Sequence, residues 1–291
     1  MPTYLKTALK IALSALSLWL VFRKIEPERV WDVISRAQVG WLAVATVLFI
    51  LSKVASAERL RVLFAQVGLR LRRLPNLKLY WLGMYYNLFL PGGIGGDGYK
   101  VYLLNRLTGT SVKVLVGATL IDRLIGLLPL LYALAVFVVL VPEVSLWLEF
   151  QIGWLWLLGI PVAHFAAKRL LKQFMPQFAP AFERSVDWSG LVQGLQMVQI
   201  LTLLQAVDAP GKPEAYVLLF LVSSIVATIP FTIGGAGARE LTFLLGAEAL
   251  DVPADAAVSV SLLFYMITAV VSLAGLVYSF QSSTLTKDLS S

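Results

Sequence analysis

From Ser111 to Val141 the chain runs with only three charged side chains, Lys113, Asp122 and Arg123, and is otherwise almost wholly apolar. A helix that crosses the hydrocarbon core of a bilayer needs about 20 such residues. This one, about 46 Å long at about 1.5 Å per residue, has to tilt, kink near Pro129 or protrude. Similar segments lie at about 5–22, 41–63, 145–166, 188–207 and 255–280. The composition agrees: 58% of residues are hydrophobic, 14% are charged and the mean hydropathy is +0.80. Soluble domains average about 45–50% and about 25%. The chain is therefore expected to be an all-α polytopic membrane protein, a single integral membrane domain over 1–291. There is no cysteine and one histidine, which excludes disulfides, thiolate chemistry and Cys- or His-rich metal sites. No cofactor or metal is expected. The net charge of +7 suits cytoplasmic loops facing anionic lipid better than a nucleic-acid partner.

Two pairs of apolar stretches are too short to span: 76–90 with 97–107, and 213–230 with 238–250. Each pair is interrupted by a knot, Pro91-Gly92-Gly93-Ile94-Gly95-Gly96 or Pro230-Phe231-Thr232-Ile233-Gly234-Gly235. Broken backbone at membrane depth is tolerated only where protein or a watery cavity covers it, so both pairs are expected to be re-entrant helical hairpins beside about six full crossings. The first segment, preceded by Lys6 and Lys10, is expected to be a retained signal-anchor helix. With the N-terminus on one side, that side collects fifteen basic residues, Arg59, Arg61 and Lys287 among them, against five on the other. The positive-inside rule then places both termini in the cytoplasm. Residues 25–38 have the pattern of an amphipathic helix on the outer interface. Trp41, Trp81, Trp147, Trp154 and Trp156 are expected in the interfacial belts.

Sliding the sequence by 139 positions aligns the knots without a gap. Pro91 meets Pro230, Ile94 meets Ile233, and Gly95, Gly96 and Gly98 meet Gly234, Gly235 and Gly237, while Lys100 meets Arg239. This predicts a duplication with halves 1–141 and 142–291. Each half carries three crossings and a hairpin, an odd count, so the halves must be inverted relative to each other. Paired broken helices in inverted repeats are a transporter design, with the substrate site near the midplane.

Charges at that depth cost about 2.5–3.5 kcal/mol on insertion scales and mark function. Asp97 and Lys100 follow the first knot, Arg239 and Glu240 the second, Asp122-Arg123 lie inside the long helix, and Lys53 interrupts the second segment. One reading makes them salt bridges that pin helices together. The other makes each knot the start of a half-helix whose free N–H groups and positive dipole end receive a phosphate, with Lys100 or Arg239 one turn in. Asn87 caps the broken helix or packs there. His164 is expected to be structural. No nucleophile–base–orienter set and no ATPase motif is discernible, so the chain is not expected to be an enzyme.

Asn87-Leu88-Phe89-Leu90-Pro91-Gly92 with Gly95-Gly96-Asp97, Asp122-Arg123, and Ile229-Pro230 with Gly234-Gly235-Ala236-Gly237-Ala238-Arg239-Glu240 together resemble the transmembrane domain of lysylphosphatidylglycerol synthases. The resemblance covers nearly the whole chain and departs from the pattern at Lys100, where arginine is expected. It implies a flippase-like domain of the cell membrane that moves or presents charged lipids, with these residues as its binding site. The aminoacyl-transfer domain of the synthases has no counterpart here, so lipid aminoacylation by this chain alone is not expected. The expected function is translocation of an anionic phospholipid or a polyprenyl-phosphate-linked lipid. Two rivals stand beside it. One is an integral-membrane transferase using Asp97, Asp122 or Glu240 as general base. The other is a non-transporting partner of a glycosyltransferase. A homo-oligomer is compatible with all three.

Overall fold

The structure, a computed structural model, describes residues 27–89, 95–141, 144, 155–228 and 237–280. Every regular element among them is helical. A short helix α1 (Pro27–Ser35) precedes the long α2 (Val39–Gln66), which is followed by α3 (Arg73–Phe89) and α4 (Gly95–Thr108). Next come α5 (Val112–Leu140), which runs through Pro129, and α6 (Leu155–Phe174). A 3-10 turn (Pro176–Ala181) leads into α7 (Phe182–Ala206), then α8 (Pro213–Thr228), α9 (Ala238–Ala249), α10 (Ala254–Leu273) and the short α11 (Gly275–Phe280). The first expected crossing, the body of the first knot (Pro91, Gly92, Gly93 and Ile94) and that of the second (Pro230, Gly234 and Gly235 included) lie outside the described residues, as do Trp147 and Trp154.

Among the described residues three helices are long and apolar enough to cross a membrane: Val39–Gln66, Val112–Leu140 and Ala254–Tyr278. Their outer faces carry large apolar side chains where a soluble protein would place charge. Val44, Val47 and Leu51 on α2, and Leu120, Leu124 and Leu131 on α5, are about half exposed, the arrangement lipid requires. α7 is long as well but mixes Gln193, Gln196 and Gln199 into its length. By contrast α3, α4, α8 and α9 have 17, 14, 16 and 12 residues, about 18–26 Å each. That is short of a core about 30 Å thick.

The helix bounds repeat at the offset found in the glycines. Moved by 139, α2 falls on α7, α3 on α8, α4 on α9, and α5 on α10 with α11. The packing repeats too: α3 lies on α4 as α8 lies on α9, and α1 lies on α10 as α6 lies on α5. The two matching long helices, α2 and α7, pack against each other along the centre, more extensively than any other pair.

Two apolar cores lie at the ends of this central pair. One gathers Phe49, Ile200, Tyr216, Phe220, Phe243 and Phe264; the other gathers Leu60, Leu63, Phe64, Leu82, Leu104, Phe178 and Phe182. Between them α2 presents Ser52, Lys53, Ser56 and Arg59, and α7 presents Ser189, Gln193 and Gln196. Each central helix thus reads apolar, polar, apolar along its length. The polar layer falls at mid-depth, since Lys53 stands near the middle of α2.

Candidate functional site

The first hairpin closes through backbone contact. The Asn87 Oδ1 accepts a hydrogen bond from the Gly96 N–H at 2.8 Å, which caps α4 from the helix before it. A Cβ on Gly96 would stand 1.8 Å from the Gly83 carbonyl oxygen, so only glycine allows the approach. Gly95 opens α4, half-buried beside it. In the first turn of α4, Asp97 receives Lys100 Nζ at 2.7 Å and Arg123 Nε at 2.6 Å. At the second hairpin Gly237 has φ +81°, the left-handed region glycine favours. Its N–H donates to the Glu240 carboxylate at 2.7 Å, and the Ser261 hydroxyl donates to the same group at 3.2 Å. Both half-helix starts thus hold a carboxylate of the chain itself, Asp97 or Glu240, which satisfies the dipole end.

Asp122 pairs with Arg59, accepting from Nε at 2.7 Å and Nη2 at 3.0 Å, while Arg59 Nη1 donates to the Ser189 hydroxyl at 3.0 Å. Counted by pattern as a cytoplasmic charge, Arg59 is instead 8% exposed and tied to α5 and α7. A buried carboxylate in the middle of α5 needs a fully satisfied partner, and α2 supplies it. Trp81 also departs from expectation: its indole N–H donates to the Val271 carbonyl at 3.2 Å, fastening α3 to α10. Trp41 is 42% exposed.

Against the polar layer lies a cavity of about 480 Å³. Lys53, Arg59, Arg123 and Arg239 line it with Ser56, Tyr80, Gln193, Gln196, Ser224, Thr228, Tyr265 and Thr268, and among the described residues no carboxylate reaches its wall. The Gln193 amide oxygen is buried there without a partner, a state that costs about 1–3 kcal/mol unless a ligand or water donates to it.

Of the residues singled out by sequence, Arg123 and Arg239 reach this wall. Asp97, Lys100 and Asp122 stand behind it in ion pairs, and Asn87, Gly95, Gly96, Gly237 and Glu240 shape the two helix starts. Lys100 and Arg239, matched by the offset, meet different surroundings. Lys100 is buried, bound to Asp97 and packed over the Tyr80 ring at 5.1 Å. Arg239 makes no salt bridge among the described residues. It rests on the Phe264 and Phe220 rings at 4.7 and 5.7 Å, with the Ser223 and Ser224 hydroxyls 3.4 Å away. The sequence had also marked Lys53 as out of place without assigning it to a site. It lies over the Phe49 ring at 4.5 Å, likewise with no salt bridge among the described residues. A lysine amid apolar residues was the available signal. Tyr80, Gln193 and Ser224 carried none.

His164 is far from this chemistry. It bridges the Tyr132 hydroxyl and Glu183, each at 3.2 Å, joining α5, α6 and the start of α7. Outside the apolar spans, the Lys168 ammonium hydrogen-bonded to Glu183 holds that carboxyl below its usual range.

The described wall of this cavity combines cations, amides and hydroxyls. No curated protein matches the chain. Residues 7–275 match the family described as the lysylphosphatidylglycerol synthase TM region, and because that span is most of the 291 residues, the chain belongs to this family of membrane domains.

Proposed function

We propose that this protein carries an anionic lipid between the leaflets of the cell membrane, its head group passing through the cavity between the two apolar cores. One observation carries the reading: the wall holds Lys53 and Arg239 without a carboxylate partner, at a depth where an unpaired charge is expensive. An anionic phospholipid or a polyprenyl-phosphate-linked lipid supplies the missing charge. The helix bounds that repeat at 139 residues support an inverted duplication, with the α3–α4 hairpin opening to the cytoplasm and the α8–α9 hairpin to the outside. Access then alternates around one central site. The head group is held by the cations of the wall, Arg239 from the second hairpin and Arg123 behind the first, with Asn87, Gly95, Gly96 and Gly237 shaping its approach. The protein does no covalent chemistry on the lipid. A transferase reading has less support, since Asp97, Asp122 and Glu240, its candidate bases, are all engaged by cations, N–H groups or hydroxyls.

Mass spectrometry of lipids co-purified in mild detergent tests this. A recurrent anionic lipid is expected on the wild type, and Arg239→Gln should retain roughly five- to hundredfold less, the loss of one charge-assisted hydrogen bond. A folded Arg239→Gln protein that keeps the same lipid at the wild-type level contradicts the assignment.

A further inference from the structure

The charges of the polar layer do not sum to zero. Among the described residues five cations, Lys53, Arg59, Lys100, Arg123 and Arg239, share it with three carboxylates, Asp97, Asp122 and Glu240. Two positive charges are left over. Arg59 is held by Asp122 through two bonds, Lys100 and Arg123 share the single carboxylate of Asp97, and Glu240 accepts from the Gly237 N–H and the Ser261 hydroxyl instead of a cation. The remaining two, Lys53 and Arg239, both stand on the cavity wall. Each lies on a phenyl ring, Lys53 on Phe49 at 4.5 Å and Arg239 on Phe264 at 4.7 Å. Those rings meet edge to face at 5.9 Å between centroids. The two side chains therefore flank one aromatic pair. Ring contact softens a buried charge but does not neutralise it.

We propose that the ligand of this cavity is a dianionic phosphate, such as the terminal monoester of a polyprenyl or other long-chain monophosphate, and not a singly charged phosphodiester. This rests on the lipid reading above and narrows it. A phosphomonoester loses its second proton near about pH 6 and carries about −1.5 to −2 at neutral pH, which matches both cations. A phosphodiester leaves one of them bare. A head group with its own ammonium adds to the excess. On the same wall the Ser224 hydroxyl accepts from Arg239 and keeps its proton for an acceptor oxygen of a monoester, while the Ser56, Thr228 and Thr268 hydroxyls donate to carbonyls of their own helices. The volume, about 480 Å³, lies within the usual range for a ligand site of about 300–1,000 Å³.

Titration calorimetry on the purified full chain in non-ionic detergent, with dodecyl phosphate, its methyl ester and inorganic phosphate as probes, tests the proposal. At pH 8 dodecyl phosphate is expected to bind at least about tenfold more tightly than its methyl ester. The ratio should fall toward one at pH 5, where the monoester carries a single charge. Lys53→Gln and Arg239→Gln should each erase the preference at pH 8, while Arg239→Lys keeps it. Equal affinity for the two esters on the wild type at pH 8 overturns the proposal, as does a preference that survives both glutamine substitutions. The wild-type pH comparison decides alone if a variant does not fold. Inorganic phosphate binding as tightly as dodecyl phosphate leaves the dianion assignment standing and removes the lipid reading. Absence of binding by all three removes both.

Discussion

Lys53 and Arg59 stand six residues apart on α2, both at membrane depth, yet removing each should act on stability with opposite sign. Arg59 holds Asp122 through two bonds and reaches Ser189 besides. Arg59→Met leaves a buried carboxylate uncompensated and should cost about 3–5 kcal/mol. The double variant Arg59→Met/Asp122→Leu should recover most of that loss. Lys53→Met removes a charge with no carboxylate to satisfy and should be neutral or stabilising in lipid-free detergent. Thermal unfolding of the three variants checks the contrast; an equal loss for Lys53→Met and Arg59→Met contradicts it. Lys100→Gln belongs with Arg59, since it strips Asp97 of a partner at 2.7 Å, whereas Arg239→Gln should leave unfolding nearly unchanged and lose ligand. The sequence showed that these charges were misplaced for a membrane helix. Which of them pair is decided by how α2 crosses α5 and α7, and no local pattern records that. Arg59 was accordingly counted among the basic residues of the cytoplasmic side, and Lys100 was treated as the equal of Arg239.

At the scale of elements the sequence was more informative, because the constraints there are local. The length of an apolar run sets the length of a membrane helix, and a run of glycines and prolines ends one. The bounds of α3, α4, α8 and α9 follow the expected short stretches within a few residues. Asn87 was a candidate cap and is one. The second helix start was less readable: Glu240 stood out as a buried charge, and its use as a cap for the Gly237 N–H shows only once the turn is built. Gly96 and Gly98 offer a test within one helix. Gly96→Ala places a Cβ 1.8 Å from the Gly83 carbonyl oxygen, while a Cβ on Gly98 meets nothing within 4 Å. Gly96→Ala should therefore open the α3–α4 hairpin and lower the unfolding temperature markedly. Gly98→Ala should change it little, or raise it slightly through its gain in helix propensity. Limited proteolysis and thermal unfolding of the two proteins side by side decide this; equal behaviour would mean that the hairpin does not depend on the close approach.

For the whole molecule, the 139-residue offset shared by the glycines and the helix bounds is the feature on which the proposed mechanism rests. It stands out in the sequence because glycine and proline serve special backbone geometry, while one apolar residue of a membrane helix can replace another. The paired packing of α1 on α10 and of α6 on α5 could not be read that way, since it joins segments from different halves. If the halves are inverted, position 75 at the start of α3 and position 214 at the start of α8, one repeat apart, face opposite sides. The chain has no cysteine, so single cysteines report directly. Labelling by an impermeant reagent from outside is expected at 214 and not at 75 or 287; labelling of 75 and 214 from the same side contradicts inversion. The most direct test of the lipid-carrying function is leaflet exchange in vesicles that contain only this protein and a fluorescent long-chain monophosphate on one side. Wild-type protein should move the probe to the other leaflet chemically unchanged, and Arg239→Gln, reconstituted to the same level, should slow that movement at least about tenfold. Movement no faster than in protein-free vesicles, or a probe recovered covalently altered, would contradict it.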